Sequence, residues 1–395
     1  MSKILLIHPD LSSIGGAEKL ALGMVEVLLK MGHDINILTL KLPINTSYIR
    51  SYFGFSSNLF NRIKFINPYR FSYLAKVLSN NRIPHLIKNY YFIPDIMEKI
   101  VSKIRDQFEL IINTHAQKLY LTSDINYVHF PIVASFREKY LFENHIGKPK
   151  SVLKKSYYSL IKFLVLKGFY KVNEESIILA NSRFTARYIY KYYGLYPKIL
   201  YPYVDINQFL KVSGSHNRKN YVISIGRISP EKNYDVVPII AKHAKNVRKF
   251  IIIGSTYSAS YKIMYNVLKK ATELNVKDKI VFVPNASFEK LLALLSCSKV
   301  FLHTMKYEHF GIAVVEAMAS GLIPVVHRSG GPWTDIILEG KYGYGYSDPE
   351  EAAQVIDEIV NMYSKSMIKN IIERAKYFNK NRFVKIFSRI LRESI

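Results

Sequence analysis

Short apolar segments alternate with amphipathic ones from the first residues onward. Lys3–Ile7 is a compact, mostly apolar segment that predicts a buried strand, and Leu20 and Met24 begin a run of apolar residues at helical spacing. Gly32 ends this helix, and residues 35–40 form the next apolar segment. Parallel strands need a long crossover between them, usually a helix. The opening therefore predicts a β-α-β unit and a parallel sheet.

The same alternation resumes after residues 211–220 (KVSGSHNRKN), a polar stretch that predicts a flexible linker. Beyond it, strands are predicted at 221–225, 249–253, 280–284, 299–303 and 322–326, with helices at 261–274, 288–295 and 312–320. A chain of 395 residues is long enough for two domains. The predicted fold class is α/β with two Rossmann-like parallel-sheet domains: residues 1–207, a linker at 208–220, residues 221–368, and a terminal helix at 369–395.

Residues 308–335 (EHFGIAVVEAMASGLIPVVHRSGGPWTD) combine charge, glycine and a predicted helix. Glu308 lies on a loop, Glu316 lies one turn into the helix, and Gly311 exposes backbone amides at the helix start. These amides and the positive end of the helix dipole form an anion site, while Glu316 can accept hydrogen bonds from vicinal hydroxyls. The combination suits a sugar nucleotide. Two glutamates eight positions apart also occur by chance in many helices.

A second glycine turn, which begins at Gly226, carries Arg227 and Lys232 into the following helix. A guanidinium fork and a point charge five residues apart are well suited to a diphosphate. Exposed basic loops are nevertheless commoner than phosphate clamps, and this loop alone does not decide between them.

Two candidate residues of the first half are glycines, and a third is a histidine. Gly15 and Gly16 allow a ligand to approach the backbone closely, or they simply form a tight turn. The G-x-G-x-x-G spacing of a dinucleotide site is absent here. His129 ends a predicted strand, where the sites of α/β proteins gather, although a lone histidine is more often structural.

The net charge is +26, from 56 Lys and Arg against 30 Asp and Glu. Such a charge implies anionic partners: nucleic acid, anionic lipid or phosphorylated substrates. Residues 148–175 mix lysine with apolar residues at helical spacing, which predicts either a helix in a membrane interface or a packed helix with a solvated lysine face. No apolar run approaches the length that spans a bilayer.

The single cysteine, Cys297, excludes a disulfide framework, and a reducing cytoplasm is the simplest compartment. The first ten residues, MSKILLIHPD, carry too short an apolar run for a signal peptide. No D-x-D sequence occurs, which argues against a metal-bound diphosphate and predicts that the basic pair stabilises the leaving group.

Several segments of the sequence resemble those of retaining glycosyltransferases of family 4, and among them the dolichol-pathway α-1,2-mannosyltransferases. They are EHFGIAVVEAMASG, HRSGGPWTDI, GRISPEKN, ANSRFTARYIYKYYG, YPYVDINQF and NYVHFP. The resemblance covers nearly the whole chain and thins in residues 45–105. It implies a GT-B fold, in which two Rossmann-like domains face a cleft, the second holds most of the donor, and the last helix packs on the first domain.

The resemblance also implies a role for each candidate residue. Arg227 and Lys232 would bind the donor diphosphate, Glu316 the ribose and Glu308 the transferred sugar. The amides of the segment Phe310, Gly311 and Ile312 would meet phosphate and sugar. His129 and the loop of Gly15 and Gly16 would face the reacting centre from the first domain. No metal is expected.

The implied reaction moves a hexose, mannose from GDP-mannose in particular, to a polyprenyl- or dolichyl-diphosphate glycan at the cytoplasmic face of an anionic membrane. An alternative is a UDP-sugar donor with a soluble or polysaccharide acceptor. A nucleic-acid-binding protein would explain the charge, but the basic residues are spread along the chain, so no nucleic-acid partner is expected. A nicotinamide oxidoreductase would explain the Rossmann halves but lacks the glycine fingerprint.

Overall fold

The computed structural model describes residues 1–12, 15–42, 58–79, 88–116, 118–148, 151–168 and 173–394. The sequence-based predictions for residues 45–57, 80–87 and 169–172 lie outside them. The chain forms two compact units: residues 1–202 with 383–395, and residues 203–382. Each unit is described separately.

The first unit is built on a parallel sheet that has seven strands among the described residues. Its spatial order is β3-β2-β1-β4-β5-β6-β7, and every pair of neighbours is parallel. The strands are β1 (Lys3–Ile7), β2 (Asp34–Leu38), β3 (Ile63–Ile66), β4 (Leu110–Asn113), β5 (Ile125–Val128), β6 (Ile177–Ala180) and β7 (Lys198–Ile199). The central strands are buried along almost their whole length, as expected for a sheet covered on both faces.

The helices of this unit lie between the strands in the sequence. They are α1 (Gly16–Lys30), α2 (Tyr73–Ser79), α3 (Ile93–Ile104), α4 (Ile132–Arg137), α5 (Lys139–His145), α6 (Val152–Gly168) and α7 (Arg183–Tyr193). The ends of α7 follow from local chemistry: the Ser182 hydroxyl accepts a hydrogen bond from the Thr185 amide, and Gly194 adopts the left-handed conformation that ends the helix. Leu5, Ile7 and Leu38 form a core with apolar side chains of α3.

The second unit repeats this plan with a six-stranded parallel sheet among the described residues. Its order is β10-β9-β8-β11-β12-β13, with β8 (Tyr221–Ile225), β9 (Lys249–Gly254), β10 (Ile280–Pro284), β11 (Val300–His303), β12 (Ile323–His327) and β13 (Tyr344–Tyr346). Its helices are α8 (Asn207–Leu210), α9 (Val237–His243), α10 (Ser260–Glu273), α11 (Phe288–Cys297), α12 (Ile312–Ala319), α13 (Pro349–Met362) and α14 (Lys365–Lys376). The last helix, α15 (Lys380–Arg392), begins in this unit and continues into the first.

Both sheets have the strand order of doubly wound folds. From the first strand of each unit, the chain adds strands on one side of the sheet and then crosses over to add strands on the other side. The reversal lies between β1 and β4 in the first sheet and between β8 and β11 in the second. Ligands of such folds bind beside this point, at the carboxyl ends of the strands. The prediction of two Rossmann-like parallel-sheet domains is confirmed.

The polar segment predicted as a flexible linker, residues 208–220, belongs to the second unit and is anchored there. Arg218 is the anchor, because its guanidinium donates to five carbonyl oxygens at 2.6–3.1 Å: those of Val212, Ser213, Leu295, Ser298 and Ser320. A side chain with that many partners does not leave its segment free. These bonds tie the segment to the second unit.

The terminal stretch, predicted as one helix at 369–395, is two helices, α14 and α15. The break lies at residues 377–379. The Asn379 side chain accepts a hydrogen bond from the Arg382 amide, which caps the start of α15. The Val204 amide donates a hydrogen bond to the Phe378 carbonyl oxygen. This bond ties the segment between the two helices to the start of the second unit.

Candidate functional site

The carboxyl edge of the second sheet brings a lysine and a carboxylate together. Lys232 follows a short turn after β8, and Glu308 follows β11. Lys232 Nζ lies 2.5 Å from Glu308 Oε2, and both side chains are largely buried, 22% and 17% exposed. The Lys232 carbonyl accepts a hydrogen bond from the Thr304 hydroxyl. Asn233 supports the sharp turn, because it takes the left-handed conformation that asparagine tolerates.

A second neighbour of Glu308, His303, ends strand β11. Its Nε2 lies 3.6 Å from the same carboxylate oxygen, Oε2. Burial raises the pKa of Glu308, but the positive charge of Lys232 and the neighbouring His303 outweigh it and hold that pKa well below its usual range. Glu308 is therefore a carboxylate at neutral pH. Burial lowers the pKa of His303, which favours a neutral imidazole there.

Arg227, the other predicted phosphate-binding cation, is exposed on the loop after β8. Its guanidinium makes no hydrogen bond or ion pair with the described part of the chain. The two cations therefore differ: Lys232 is engaged with a carboxylate, and Arg227 is open to a ligand.

Helix α12 begins where the sequence predicts, directly after Gly311. Gly311 has a φ of 98°, a backbone conformation that favours glycine. Ile312 is the first helical residue and is partly exposed, while Phe310 is buried and packs edge-on against Phe378 at 5.4 Å. Glu316 lies one turn into the helix and is partly exposed. The residues of this segment that were predicted to bind the sugar nucleotide thus lie at the start of one helix.

Two glycines after β12 hold the Glu308 loop in place. The Gly331 amide donates to the Glu308 carbonyl oxygen at 2.8 Å. A Cβ atom at Gly330 would lie 2.4 Å from the same oxygen, and Gly330 has a φ of 76°. The sequence predicted a tight loop here, and the structure shows why neither position can carry a side chain.

In the first unit, His129 lies just beyond β5, at the carboxyl edge of the sheet. Its Nε2 is 3.1 Å from the Thr114 carbonyl oxygen, and its own carbonyl accepts hydrogen bonds from Asn181 and Thr185. Burial and the nearby His8 lower the pKa of His129 to about 4. At neutral pH this side chain is an uncharged imidazole.

The predicted glycine pair lies at the start of α1, close to this edge. Gly15 is the residue before the helix, and Gly16 is its first residue. A Cβ atom at Gly15 would lie 2.5 Å from Glu18 Oε2, so the glycine leaves room for this carboxylate. Gly15 therefore has a packing role beside the ligand role predicted for the pair.

Sequence reasoning missed three polar residues of the same edge: His8, Thr114 and His115. His8 and His115 are ring neighbours with centroids 5.3 Å apart, and the centroids of His115 and His129 are 5.9 Å apart. Burial, with the neighbouring His8 and His129, lowers the pKa of His115 to about 3. Part of the signal was available, since His8 directly follows the predicted strand Lys3–Ile7, but the strand order was needed to bring the three residues together.

Among the described residues, no three or more His, Cys, Asp or Glu side chains lie together as metal ligands would. In the same part of the chain, no helix has both the length and the apolar character needed to cross a bilayer.

Comparison with known proteins shows which family part of the chain resembles. Residues 205–378 match the family model "Glycosyl transferases group 1". The fold resembles solved structures over the whole chain: Anabaena HepE in complex with UDP and glucose (TM-score 0.69, 16% identity, 100% of both chains) and sucrose-phosphate synthase from Thermosynechococcus elongatus (TM-score 0.70, 15% identity, 100% of this chain and 99% of that one). Residues 205–378 are thus similar to the group 1 glycosyl transferases, and the predicted GT-B fold is confirmed.

Within this class, the chain is similar to proteins named GDP-Man:Man(3)GlcNAc(2)-PP-Dol alpha-1,2-mannosyltransferase. The relative from Dictyostelium discoideum is 29% identical over 305 residues, which cover 68% of this chain and 59% of the relative. The relative from Homo sapiens is 30% identical over 273 residues, 62% of this chain and 54% of the relative. The relative from Mus musculus is 27% identical over 387 residues, which cover 88% of this chain and 77% of the relative. The chain thus spans little more than half the length of the first two, and the resemblance predicted from the sequence is confirmed.

Proposed function

We propose that the chain is a retaining glycosyltransferase that moves mannose from GDP-mannose to a lipid-linked glycan. The single observation that carries the proposal is the pairing of Lys232 with Glu308 beside the start of α12, next to the exposed Arg227. The names of the relatives supply the donor and the acceptor, since each contains GDP-mannose and a dolichyl-diphosphate glycan.

The donor diphosphate would bind between Arg227 and Lys232. The free amides at the start of α12 and the positive end of its dipole add to this anion site. Glu316, one turn into the helix, would accept hydrogen bonds from the ribose hydroxyls. Glu308 would accept hydrogen bonds from the sugar. Two cations at the diphosphate stabilise the charge that develops on the leaving group, which lowers the barrier to its departure.

In the transfer step, the bond between the anomeric carbon and the diphosphate oxygen breaks, and both electrons leave with the diphosphate. The acceptor hydroxyl attacks the same face of the sugar, which retains the configuration, and its proton passes to the departing phosphate. Glu308 acts as a hydrogen-bonding group in this scheme, because Lys232 and His303 already surround its carboxylate. Attack by Glu308 as a nucleophile would require it to leave both partners.

The acceptor would be a polyprenyl- or dolichyl-diphosphate glycan, reached from the cytoplasmic face of a membrane. Helix α6 supports this proposal. It buries Ile161 and Val165 and exposes apolar side chains, with Leu153 83% and Phe163 62% exposed, among the exposed lysines Lys154, Lys155 and Lys162. An exposed apolar face flanked by lysines suits an anionic membrane surface. Leu164 and Leu166 are partly buried and offer less to a membrane.

The test is calorimetric titration with GDP, UDP and GDP-mannose, followed by transfer of labelled mannose to a synthetic polyprenyl-diphosphate glycan. The proposal expects GDP and GDP-mannose to bind and the label to appear on the lipid. Preference for UDP would favour the alternative, a UDP-sugar enzyme with a soluble or polysaccharide acceptor. Binding of an oligonucleotide but of no nucleotide would overturn both in favour of a nucleic-acid-binding protein.

A further inference from the structure

Three adjacent strands of the first sheet end in polar residues. His8 follows β1, Thr114 follows β4 and His129 follows β5, and these strands are neighbours in the order β1-β4-β5. The three residues lie at the carboxyl edge, where the strand order reverses. A ligand of the first unit would meet them there.

Thr114 links the two histidines through different atoms. Its hydroxyl donates to the Ile7 carbonyl oxygen at 2.8 Å, and His8 Nδ1 lies 3.0 Å from the same hydroxyl oxygen. A hydroxyl has one proton, so the oxygen of Thr114 must accept from His8. His8 therefore carries a proton on Nδ1.

The backbone of Thr114 defines the proton position on His129. The Thr114 carbonyl oxygen lies 3.1 Å from His129 Nε2, and a carbonyl can only accept. Nε2 of His129 is therefore protonated, and in the neutral ring the lone pair is on Nδ1. This neutral form is the one expected near pH 7, because the pKa of His129 is lowered to about 4.

The remaining nitrogen of His8 faces α1. Its Nε2 lies 3.7 Å from Glu18 Oε1, and the two side chains are 1% and 12% exposed. Glu18 itself folds over Gly15, where a Cβ atom would lie 2.5 Å from its other oxygen. Glu18 is therefore a close neighbour of His8, although 3.7 Å is too long for a hydrogen bond.

We propose that His8 is a positioning residue that acts through Thr114 to hold His129 with its proton on Nε2 and with Nδ1 free to accept a hydrogen bond from a substrate hydroxyl. His8 holds the Thr114 side chain, and the Thr114 carbonyl holds the His129 ring. The identity of the substrate rests on the proposed function. The tautomer of His129 does not, and it can be measured without any substrate.

The experiment is long-range proton–nitrogen NMR on the full chain with ¹⁵N-labelled histidine, because the two tautomers give different correlation patterns. His129→Asn assigns the signal. Wild type is expected to show the form protonated on Nε2. Thr114→Val and His8→Leu remove the hydroxyl–imidazole bond and should shift His129 toward a mixture of tautomers. Thr114→Ser keeps the hydroxyl acceptor, and His8→Asn keeps a side-chain donor. Each of these variants should show the wild-type pattern.

Turnover is the second readout. Thr114→Val and His8→Leu are each expected to lower kcat about fivefold or more, the loss of one positioning hydrogen bond, with the nucleotide Kd unchanged. His243→Ala, on the exposed end of α9, is the control and should change neither readout.

The outcomes separate the two proposals. A wild-type His129 protonated on Nδ1, or an unchanged pattern in both Thr114→Val and His8→Leu, overturns the positioning role even if mannose transfer is found. The expected patterns without any transfer overturn the proposed function and leave the positioning role standing. If His8→Leu does not fold, the comparison of Thr114→Val with Thr114→Ser decides the question alone.

Discussion

Lys232 and Glu308 form an ion pair, with 2.5 Å between Nζ and Oε2. One was predicted to bind the donor phosphates and the other the donor sugar. The pair neutralises two largely buried charges, and in the proposed function the donor phosphates would be a second anionic partner of Lys232. The pair also holds the Lys232 side chain in one orientation, toward Glu308. Less side-chain entropy is then lost when a ligand binds.

Lys232→Ala and Arg227→Ala should both weaken GDP binding, by about 1.5–3 kcal/mol for each lost charge-assisted contact. The lysine variant should lose more, because it also leaves Glu308 unpaired beside the phosphates. Calorimetric titration measures both values, with Lys242→Ala on the exposed side of α9 as the control. Adding Glu308→Gln to Lys232→Ala should restore part of the affinity. Unchanged affinity in both single variants would remove the phosphate assignment.

The two carboxylates should differ in what they affect. Glu316→Gln should weaken binding of bare GDP, because its proposed partners are the ribose hydroxyls. Glu308→Gln should largely spare GDP binding and lower kcat, because its proposed partner is the sugar. Titration with GDP and steady-state kinetics with GDP-mannose separate the two effects. Equal behaviour of the variants would contradict the division of roles.

Gly330→Ala should destabilise the second unit and disturb Glu308. The new Cβ would lie 2.4 Å from the Glu308 carbonyl oxygen, on a backbone with a φ of 76°. We expect a loss of about 2 kcal/mol or more in the free energy of unfolding, together with weaker GDP binding. Gly214→Ala is the matched control, because nothing lies within 4 Å of its Cβ position. Similar stability of both variants in urea unfolding would contradict the close packing seen at Gly330.

Most of the strands were predictable because each is a short apolar run that a glycine, proline or polar turn interrupts, whereas β3 and β13 were not predicted. The start of α12 was predictable for the same local reason, since Gly311 precedes an apolar, alanine-rich segment. The anchoring of Arg218 was not, because its carbonyl partners include Leu295, Ser298 and Ser320, far away in the sequence. Asn379, by contrast, is a recognisable cap, and its position could have divided the terminal helix.

The cluster around His129 was only half predictable. His129 itself ends a readable strand, whereas His8 and Thr114 become its neighbours only because β4 pairs with β1 and β5 pairs with β4. Pairing of non-consecutive strands depends on the packing of the whole sheet. No pattern within a short stretch of sequence contains this information.

Acid should destabilise the first unit in a defined pH range. The pKa of His115 is lowered to about 3 and that of His129 to about 4, against 6.5 for an unburied histidine, by burial first and by neighbouring histidines second. Glu18 and Asp10 act in the opposite direction on His115 and do not compensate. Above pH 6.5 both rings are neutral in the folded and unfolded states. As the pH falls below 6.5, the unfolded chain takes up protons first, so stability decreases down to about pH 4.

The measurement is urea unfolding at several values between pH 7 and pH 4.5, for wild type and for His115→Phe. The variant keeps a ring in this position but cannot take up a proton, so its stability should fall less steeply over this range. His243→Ala, at an exposed histidine, should follow wild type. Equal slopes for His115→Phe and wild type would show that His115 titrates normally.

Membrane binding is expected to depend on α6. With about 1 kcal/mol from each lysine near an anionic surface, changing Lys154, Lys155 and Lys162 together to Glu should abolish binding to vesicles that contain anionic lipid. Wild type should sediment with such vesicles, ignore neutral ones and dissociate as salt is raised, because salt screens these charges. Lys242, Lys262 and Lys269, all exposed on the second unit, give a control variant with the same change in net charge. If both triple variants lose binding equally, general charge and not α6 is responsible. If wild type ignores anionic vesicles at low salt, the docking proposal fails and a soluble acceptor is the better choice.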